Sequence, residues 1–432
     1  MIASVVSLSK TGTMFFILST TFSLVILVGL ALQAMPVLRL IRTIGQPSPE
    51  PLGDRDCPPV AILLSLRGGD PFLSDCLKKL LQQDYPDYEL VIALDHERDP
   101  AARYVDQVID DLKPANLTKK IITRREANCT LLNNNYAQLV EELDDRFEIV
   151  VLVDADAVTW KGWLRSLVQP LVRDESVGGT SGNRWYTPDN ANIGTLTRCV
   201  WNMGSIVQMA TMQYPWGGSM ALRADVAKSP EMLQCWRSTF TGDTPLFKII
   251  RDRGKKYHFN PEIILLNRED TTLHSFCNWM PRQMLNGKLY HPLWLPVLAQ
   301  AILSTILLVA AVSTNLANIV TGNWLAFGIL GGSLTLFWIS IFGLFVKMNR
   351  VIGSKALGRG DRMNWLTLSA AHKLFWVIPM VQIVYFLGVL KSLFIRNVCW
   401  RGIDYVIRGP FDIQLVEYKP FRQDPQAENQ SL

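Results

Sequence analysis

None of the seven cysteines, Cys57, Cys76, Cys129, Cys199, Cys235, Cys277 and Cys399, stands in a C-x-x-C pair or at zinc-binding spacing. An odd and scattered set argues against a disulfide framework or structural zinc and reads as reduced thiols of a core. The chain also lacks G-x-G-x-x-G and G-x-x-x-x-G-K-[ST], which argues against a dinucleotide or P-loop site. No basic run is interleaved with aromatics, and a net charge of +5 over 432 residues is modest, so no nucleic-acid surface is indicated. Internal repeats and low-complexity tracts are missing. Only Gln46 to Pro59 and the last dozen residues read as linker or frayed tail.

Apolar sequence is what the chain has in quantity: 49% of its residues are hydrophobic, yet 19% are charged, a balance that needs two solvents. Met14 to Met35 carries no charge and is long enough to cross roughly 30 Å of hydrocarbon. It exceeds a signal-peptide core and reads as a retained anchor. Three further apolar stretches, Leu293 to Val312, Trp324 to Val346 and Leu374 to Ile395, follow a polar block of domain size. The resulting organisation is an anchor (1–38), a catalytic domain (39–290), a membrane region (291–395) with two or three spans and a basic interfacial segment, and a tail (396–432). Lys347, Arg350, Lys355, Arg359, Arg362 and Lys373 crowd one late loop, while Ser313 to Asn323 has no Lys or Arg. The excess of such residues on cytoplasmic loops places the catalytic domain in the cytosol. A full crossing by the fourth stretch would export Arg396, Arg401 and Arg408, so that stretch reads as re-entrant or interfacial. Lys355 to Lys373 reads as an interfacial helix.

Within the polar block, Val60 to Ser65, Tyr88 to Leu94 and Ile149 to Val153 are apolar runs of strand length, and Pro71 to Gln83 between the first two is helical. This βαβ opening implies an α/β, Rossmann-like nucleotide-binding sheet. Its ligands belong where strands end. The second strand runs into Asp95-His-Glu-Arg-Asp99, and the third into Asp154-Ala-Asp156. Two carboxylates two residues apart on extended chain lie on one side, roughly 6 to 7 Å between Cα atoms. They can serve one hydrated Mg²⁺ or Mn²⁺ with substrate phosphates completing the shell; a solvated turn capping the strand is the alternative. Gly217-Gly218 before a short apolar strand lets backbone approach a ligand closely, or is a plain tight turn. Asp243, ahead of an amphipathic helix, fits an N-cap as well as a catalytic base.

Taken in order, Asp95/Asp99, Asp154-Ala-Asp156, Gly217-Gly218 and Asp243, with one anchor before and several spans after, resemble membrane glycosyltransferases of families 2 and 21. Ceramide glucosyltransferases and their bacterial relatives are the nearest likeness. Asp95-His-Glu-Arg-Asp-Pro-Ala resembles that group's aspartate-rich stretch, and Trp400-Arg-Gly-Ile-Asp-Tyr405 its W-R-G-x-x-Y tail; the likeness runs from Pro59 to Tyr405. It implies a glycosyltransferase A-type domain, a nucleotide-sugar donor and a membrane lipid acceptor, as in glycolipid biosynthesis. Asp95 or Asp99 would then contact the nucleoside, Asp154 the sugar-phosphate, Asp156 with Asp154 the metal, and Asp243 would be the base of an inverting transfer.

The chain departs from this pattern where Q/R-x-x-R-W should follow the base. It reads Arg282-Gln-Met-Leu-Asn286-Gly-Lys288-Leu-Tyr-His291, so Arg282 matches but the second arginine and the tryptophan do not. Arg282 or Lys288 could bind diphosphate, and His291, Trp400 and Arg401 could line the acceptor or diphosphate path. Two other functions stay open: a processive β-glycan synthase, whose channel would need more spans, and a catalytically silent membrane scaffold.

Overall fold

The computed structural model describes residues 10–421. Helix α1 (Lys10–Ile44) is followed by strand β1 (Val60–Leu66), α2 (Leu73–Leu80), β2 (Tyr88–Leu94), α3 (Pro100–Leu112) and β3 (Leu117–Ile121). Next come α4 (Leu131–Glu141), β4 (Ile149–Val153), α5 (Trp163–Arg173), β5 (Val177–Tyr186), α6 (Ile193–Met212) and β6 (Ser219–Arg223). Three short helices, α7 (Ala224–Ala227), α8 (Pro230–Trp236) and α9 (Leu246–Asp252), lead to β7 (Lys256–Asn267) and α10 (Leu273–Tyr290). The long apolar helices α11 (Trp294–Val320), α12 (Trp324–Gly358) and α13 (Leu368–Phe394) precede β8 (Asn397–Trp400), β9 (Ile403–Gly409) and β10 (Asp412–Glu417).

One seven-stranded sheet, ordered β3-β2-β1-β4-β6-β5-β7, organises the domain. β3, β2, β1 and β4 run parallel, whereas β6 is antiparallel to both β4 and β5. The chain leaves β1 toward β2 on one side and returns to β4 on the other, which opens a crevice beyond the carboxyl ends of β1 and β4. Alternate side chains of β1 enter two cores: Ala61 and Leu63 face one, and Val60, Ile62, Leu64 and Leu66 the other. Burial on both faces explains the unbroken apolar runs of β1 and β4. The open edge, β3, carries Lys119 and Lys120, charges of the kind that discourage edge-to-edge pairing.

Four helices are long and apolar enough to cross a membrane, beginning at Gly12, Trp294, Trp324 and Leu368. α1 and α12 run past their apolar stretches because their inner ends enter the domain. Ile41 and Ile44 of α1 and Phe345, Met348 and Ile352 of α12 are buried in the core beneath the sheet. Each contributes roughly 1.5 to 3 kcal/mol of burial. Polar contacts reinforce the junction: Asn349 Oδ1 accepts Trp185 Nε1 of β5 at 3.0 Å and Trp365 Nε1 at 3.2 Å. The expected interfacial helix over Lys355 to Lys373 is not formed. Lys355 belongs to the last turns of α12 and pairs with Glu262 at 2.7 Å, Arg359 pairs with Glu262 at 3.2 Å, and residues after Gly360 are coil until Thr367. Glu262 of the domain engages these two charges.

Asn323, between α11 and α12, donates to the Gly12 carbonyl at 3.0 Å, so the outer ends of α1, α11 and α12 meet away from the domain. α13 differs. It is one continuous helix, not a re-entrant pair, and both of its ends stay by the domain. Its entry is tied through Trp365 to Asn349, and Lys288 of α10 donates to the carbonyls of Ser392 at 3.1 Å and Leu393 at 2.8 Å at its exit. The tail then forms an antiparallel sheet, β10-β9-β8. That sheet docks on the domain: Leu131 N donates to Tyr405 Oη at 3.2 Å, and Leu415 N to the Ala127 carbonyl at 2.7 Å. The last dozen residues lie, but for Phe421, outside the described ones.

Candidate active site

β6 runs antiparallel beside β4, so its entry lies against the exit of β4, with Val153 opposite Ser219. This register brings Gly217 and Gly218 next to Asp154, whose amide donates to the Gly218 carbonyl at 3.3 Å. A Cβ on Gly218 would fall 2.3 Å from the Trp216 ring and 2.7 Å from Asp154 Oδ2, so only glycine fits. Asp154 and Asp156 share one partner: Arg184 of β5 reaches Asp156 Oδ2 at 2.7 Å and Asp154 Oδ2 at 3.0 Å. Asn267 Nδ2 also donates to Asp156 Oδ2, at 3.0 Å. Burial and the neighbouring Asp156 charge push Asp154 up to about 6, against the opposing pull of Arg184. The carboxylates stand on the turn that follows β4 and line a cavity of about 260 Å³ together with Arg184.

At another part of the crevice, Asp95 follows β2 and forms an ion pair with Arg67; Tyr418 Oη donates to its Oδ2 at 3.1 Å. Asp95 lines the cavity; Asp99 does not. Asp99 is instead the N-cap of α3, its Oδ1 accepting from Ala101 N and Gly68 N, each at 2.8 Å. Asp99 thus has a capping role, which the following N1 proline favours. Ligand atoms of Asp95, His96 and Asp99 lie within 4.8 Å of one another, close enough for a metal. Asp95 is paired with Arg67 and Asp99 Oδ1 with two amides, as Asp154 and Asp156 are with Arg184; the difference is that Asp154 and Asp156 both line the cavity, whereas of the first cluster only Asp95 does.

Asp243 is not a helix cap, since α9 starts at Leu246 with Pro245 in the cap position. Its Oδ1 accepts from Thr241 Oγ1 at 2.6 Å and Thr244 N at 2.6 Å, and its Oδ2 from Gly217 N at 2.9 Å. Held on both sides, the carboxylate stands at the junction of the first cavity and a second of about 150 Å³. Trp216, Trp279, Gln283 and Asn286 also line both. The second cavity runs past Met209, Met212 and Tyr214 to Trp294 and Val297, the first turn of α11. His291 lies there, stacked on Tyr214 at 4.8 Å between ring centroids, and burial lowers its basicity.

Arg282 of α10 faces the first cavity with its guanidinium 5.6 Å from the Trp400 ring centroid. Burial and the neighbouring Arg401 charge push it down to about 10, and it has no hydrogen-bond partner among the described residues. Arg401 and Gly402 both have positive φ, 46° and 75°, as the two central residues of a tight β8–β9 hairpin require. The hairpin tip thereby presents Trp400 and Arg401 to the cavity, with Arg401 contacting Asp70 Oδ2 at 3.3 Å. An arginine and a tryptophan therefore do reach the site, but from the tail; the matching positions on α10 hold Leu285, buried in core, and Asn286. Lys288 lines neither cavity, being engaged by α13. Sequence reasoning missed Arg184, Asp70, Tyr214 and Trp216. Trp216, adjoining Gly217, was the only one with a local signal.

The family model for glycosyl transferase family 21 matches residues 21–410. No curated protein matches the chain. Among solved structures, it is similar to the mannosyltransferase PcManGT from Pyrobaculum calidifontis in complex with GDP-Man and Mn²⁺, at 14% identity over 87% of this chain and 99% of that one, with a TM-score of 0.47. It is also similar to TarS residues 1–349 from S. aureus, at 10% identity over 84% and 100%, with a TM-score of 0.32. A further likeness is to glucosyl-3-phosphoglycerate synthase from Mycobacterium tuberculosis in complex with phosphoglyceric acid, at 12% identity over 53% and 78%, with a TM-score of 0.35.

Proposed function

The chain belongs to glycosyltransferase family 21, and on that premise we propose that it moves one sugar from a UDP-linked donor to a hydroxyl of a membrane lipid, with inversion. The observation that carries this reading is the pair of cavities joined at Asp243. One is lined by strand-end acids and arginines that suit a nucleotide diphosphate; the other is rich in Met, Trp and Tyr and reaches the first turn of a membrane helix. An amphiphile lying at the bilayer surface could enter the second with its hydroxyl toward Asp243.

In the transfer, the acceptor oxygen forms a bond to the anomeric carbon as the bond from that carbon to the diphosphate breaks. Asp243 takes the hydroxyl proton. Arg282, a half-buried guanidinium without a carboxylate partner among the described residues, and Arg401 suit the phosphate oxygens. Asp95 is placed to receive a nucleoside hydrogen-bond donor once Tyr418 yields its contact. Asp154 and Asp156 offer the oxygen ligands preferred by Mg²⁺ or Mn²⁺, and their hold on a guanidinium shows that the pair sustains positive charge. A divalent cation there would neutralise the departing diphosphate. The basic loop after α12 and Arg39 and Arg42 of α1 lie at the domain end of the membrane helices, which supports a cytosolic catalytic domain.

Purified protein in detergent, incubated with radiolabelled UDP-sugars and a lipid extract, tests the proposal. A single glycolipid product supports it. Long polymer would favour a processive synthase, and absence of turnover and donor binding a silent scaffold.

A further inference from the structure

β5 carries one charged residue, Arg184, in an otherwise neutral strand, Val177-Gly-Gly-Thr-Ser-Gly-Asn-Arg-Trp-Tyr186. Pairing with Leu265 of β7 and a hydrogen bond from Asn202 Nδ2 to its carbonyl, at 3.1 Å, fix its backbone. Its head is fixed as well. Nη1 and Nη2 take Asp156 Oδ2 and Asp154 Oδ2 in a fork, and the guanidinium carbon lies 4.9 Å from the Trp216 ring centroid. We propose that Arg184 is the resident counter-cation of the Asp154/Asp156 pair and that it sets the order of ligand entry, admitting a divalent cation tightly only together with the nucleotide diphosphate. This inference rests on the metal reading of Asp154 and Asp156 given above.

The argument is one of space and charge. A Mg²⁺ ion sits roughly 2.1 Å from its oxygens, so it cannot share both Oδ2 atoms with a guanidinium hydrogen-bonded to the same atoms. Charge points the same way. Asp70, Asp154 and Asp156 against Arg184 and Arg401 leave one net negative charge, and a bare divalent ion has little to gain there while the fork is closed. A diphosphate changes both conditions. Its oxygens are alternative bidentate partners for an arginine, and its negative charge joins that of the carboxylates in attracting the ion. Arg184 would then pass from carboxylate to phosphate while keeping its place over Trp216. The fork offsets part of the charge of the acidic pair between turnovers.

Mn²⁺ binding to the full-length protein in detergent, read from the loss of the free-ion electron paramagnetic resonance signal, tests this without turnover. Wild type should bind Mn²⁺ weakly alone and far more tightly with UDP; equal affinity in both conditions would overturn the proposal. Arg184→Gln should tighten Mn²⁺ binding without UDP on the order of tenfold, as expected from removing one neighbouring positive charge in a partly screened site, and should shrink the effect of UDP. Unchanged or weaker binding by a variant that melts like wild type would also overturn it. Asp156→Asn separates the two ideas. If it binds Mn²⁺ with UDP as wild type does, the metal reading itself has failed; if it loses that binding while Arg184→Gln behaves as wild type, only the ordering role has failed.

Discussion

Replacing Asp243 by asparagine removes a proton acceptor while keeping the shape of the side chain, and the contacts of the carboxylate set what should follow. Its Oδ1 receives Thr241 Oγ1 and Thr244 N, and its Oδ2 receives Gly217 N. An asparagine oxygen can satisfy only one of these sides. Turned toward Thr241 and Thr244, the new amide group meets the Gly217 amide donor to donor, at a cost of about 1 to 3 kcal/mol for the unmet group. That strain falls on stability and on the loop beside Asp154. Loss of the base falls on the chemical step, where general base catalysis contributes roughly 10² to 10⁴ in rate, or about 3 to 5 kcal/mol of barrier. The two effects separate in steady-state kinetics with independent UDP-binding measurements. The expected result is a kcat reduced by that factor, with UDP affinity changed far less. A kcat near wild type would refute the assignment of the base. An equal loss of kcat and UDP affinity would mean that Asp243 is chiefly a scaffold for the Gly217 loop.

Gly218→Ala should cripple donor binding, because the added methyl group meets the Trp216 ring and Asp154; Gly204→Ala, with nothing within 4 Å, is the silent control in the same UDP titration. His291→Phe keeps a ring against Tyr214 but removes a titrating group. Burial holds folded His291 below its ordinary pKa, so the unfolded chain takes up a proton first and wild type loses stability as pH falls below about 6.5. Thermal melts of the variant should decline less between neutral and mildly acidic pH, and parallel declines would contradict the sign. Tyr405→Phe leaves the Leu131 amide without its partner and should cost about 1 to 2 kcal/mol at the tail contact. The donor KM should then rise because Trp400 and Arg401 lose their support, whereas an unchanged KM would separate the tail from the donor site. Chelation with EDTA should abolish transfer from the UDP-sugar, and added Mn²⁺ or Mg²⁺ should restore it; full activity in EDTA would remove the metal from the scheme.

The central strands and their terminal acids were legible because β1, β2 and β4 are buried on both faces, which leaves apolar runs ending at the crevice. β5 was not legible for the opposite reason. It is packed with glycine, serine and threonine, and a Cβ on Gly182 would lie 1.7 Å from the Ile263 carbonyl oxygen, so close approach replaces hydrophobicity and the pattern shows no strand. Arg184 was hidden with it. Asp99 shows the converse: an acid just past a strand end suggested a ligand, while the proline after it signalled a helix cap. The tail motif was visible as residues but not as a hairpin, since the positive φ values of Arg401 and Gly402 are consequences of the turn. The lost α10 motif could be read from sequence; that the tail supplies an arginine and a tryptophan to the same cavity could not, because about a hundred residues of membrane helix intervene.

The docking of β8, β9 and β10 also has a consequence for synthesis. The seven-stranded sheet is complete once Asn267 has left the ribosome, and the residues flanking Asp243 are then all present. The wall formed by Trp400, Arg401 and Tyr405 arrives only after α11, α12 and α13 have been made and inserted. A nascent chain therefore lacks this wall of the first cavity until the tail has been made.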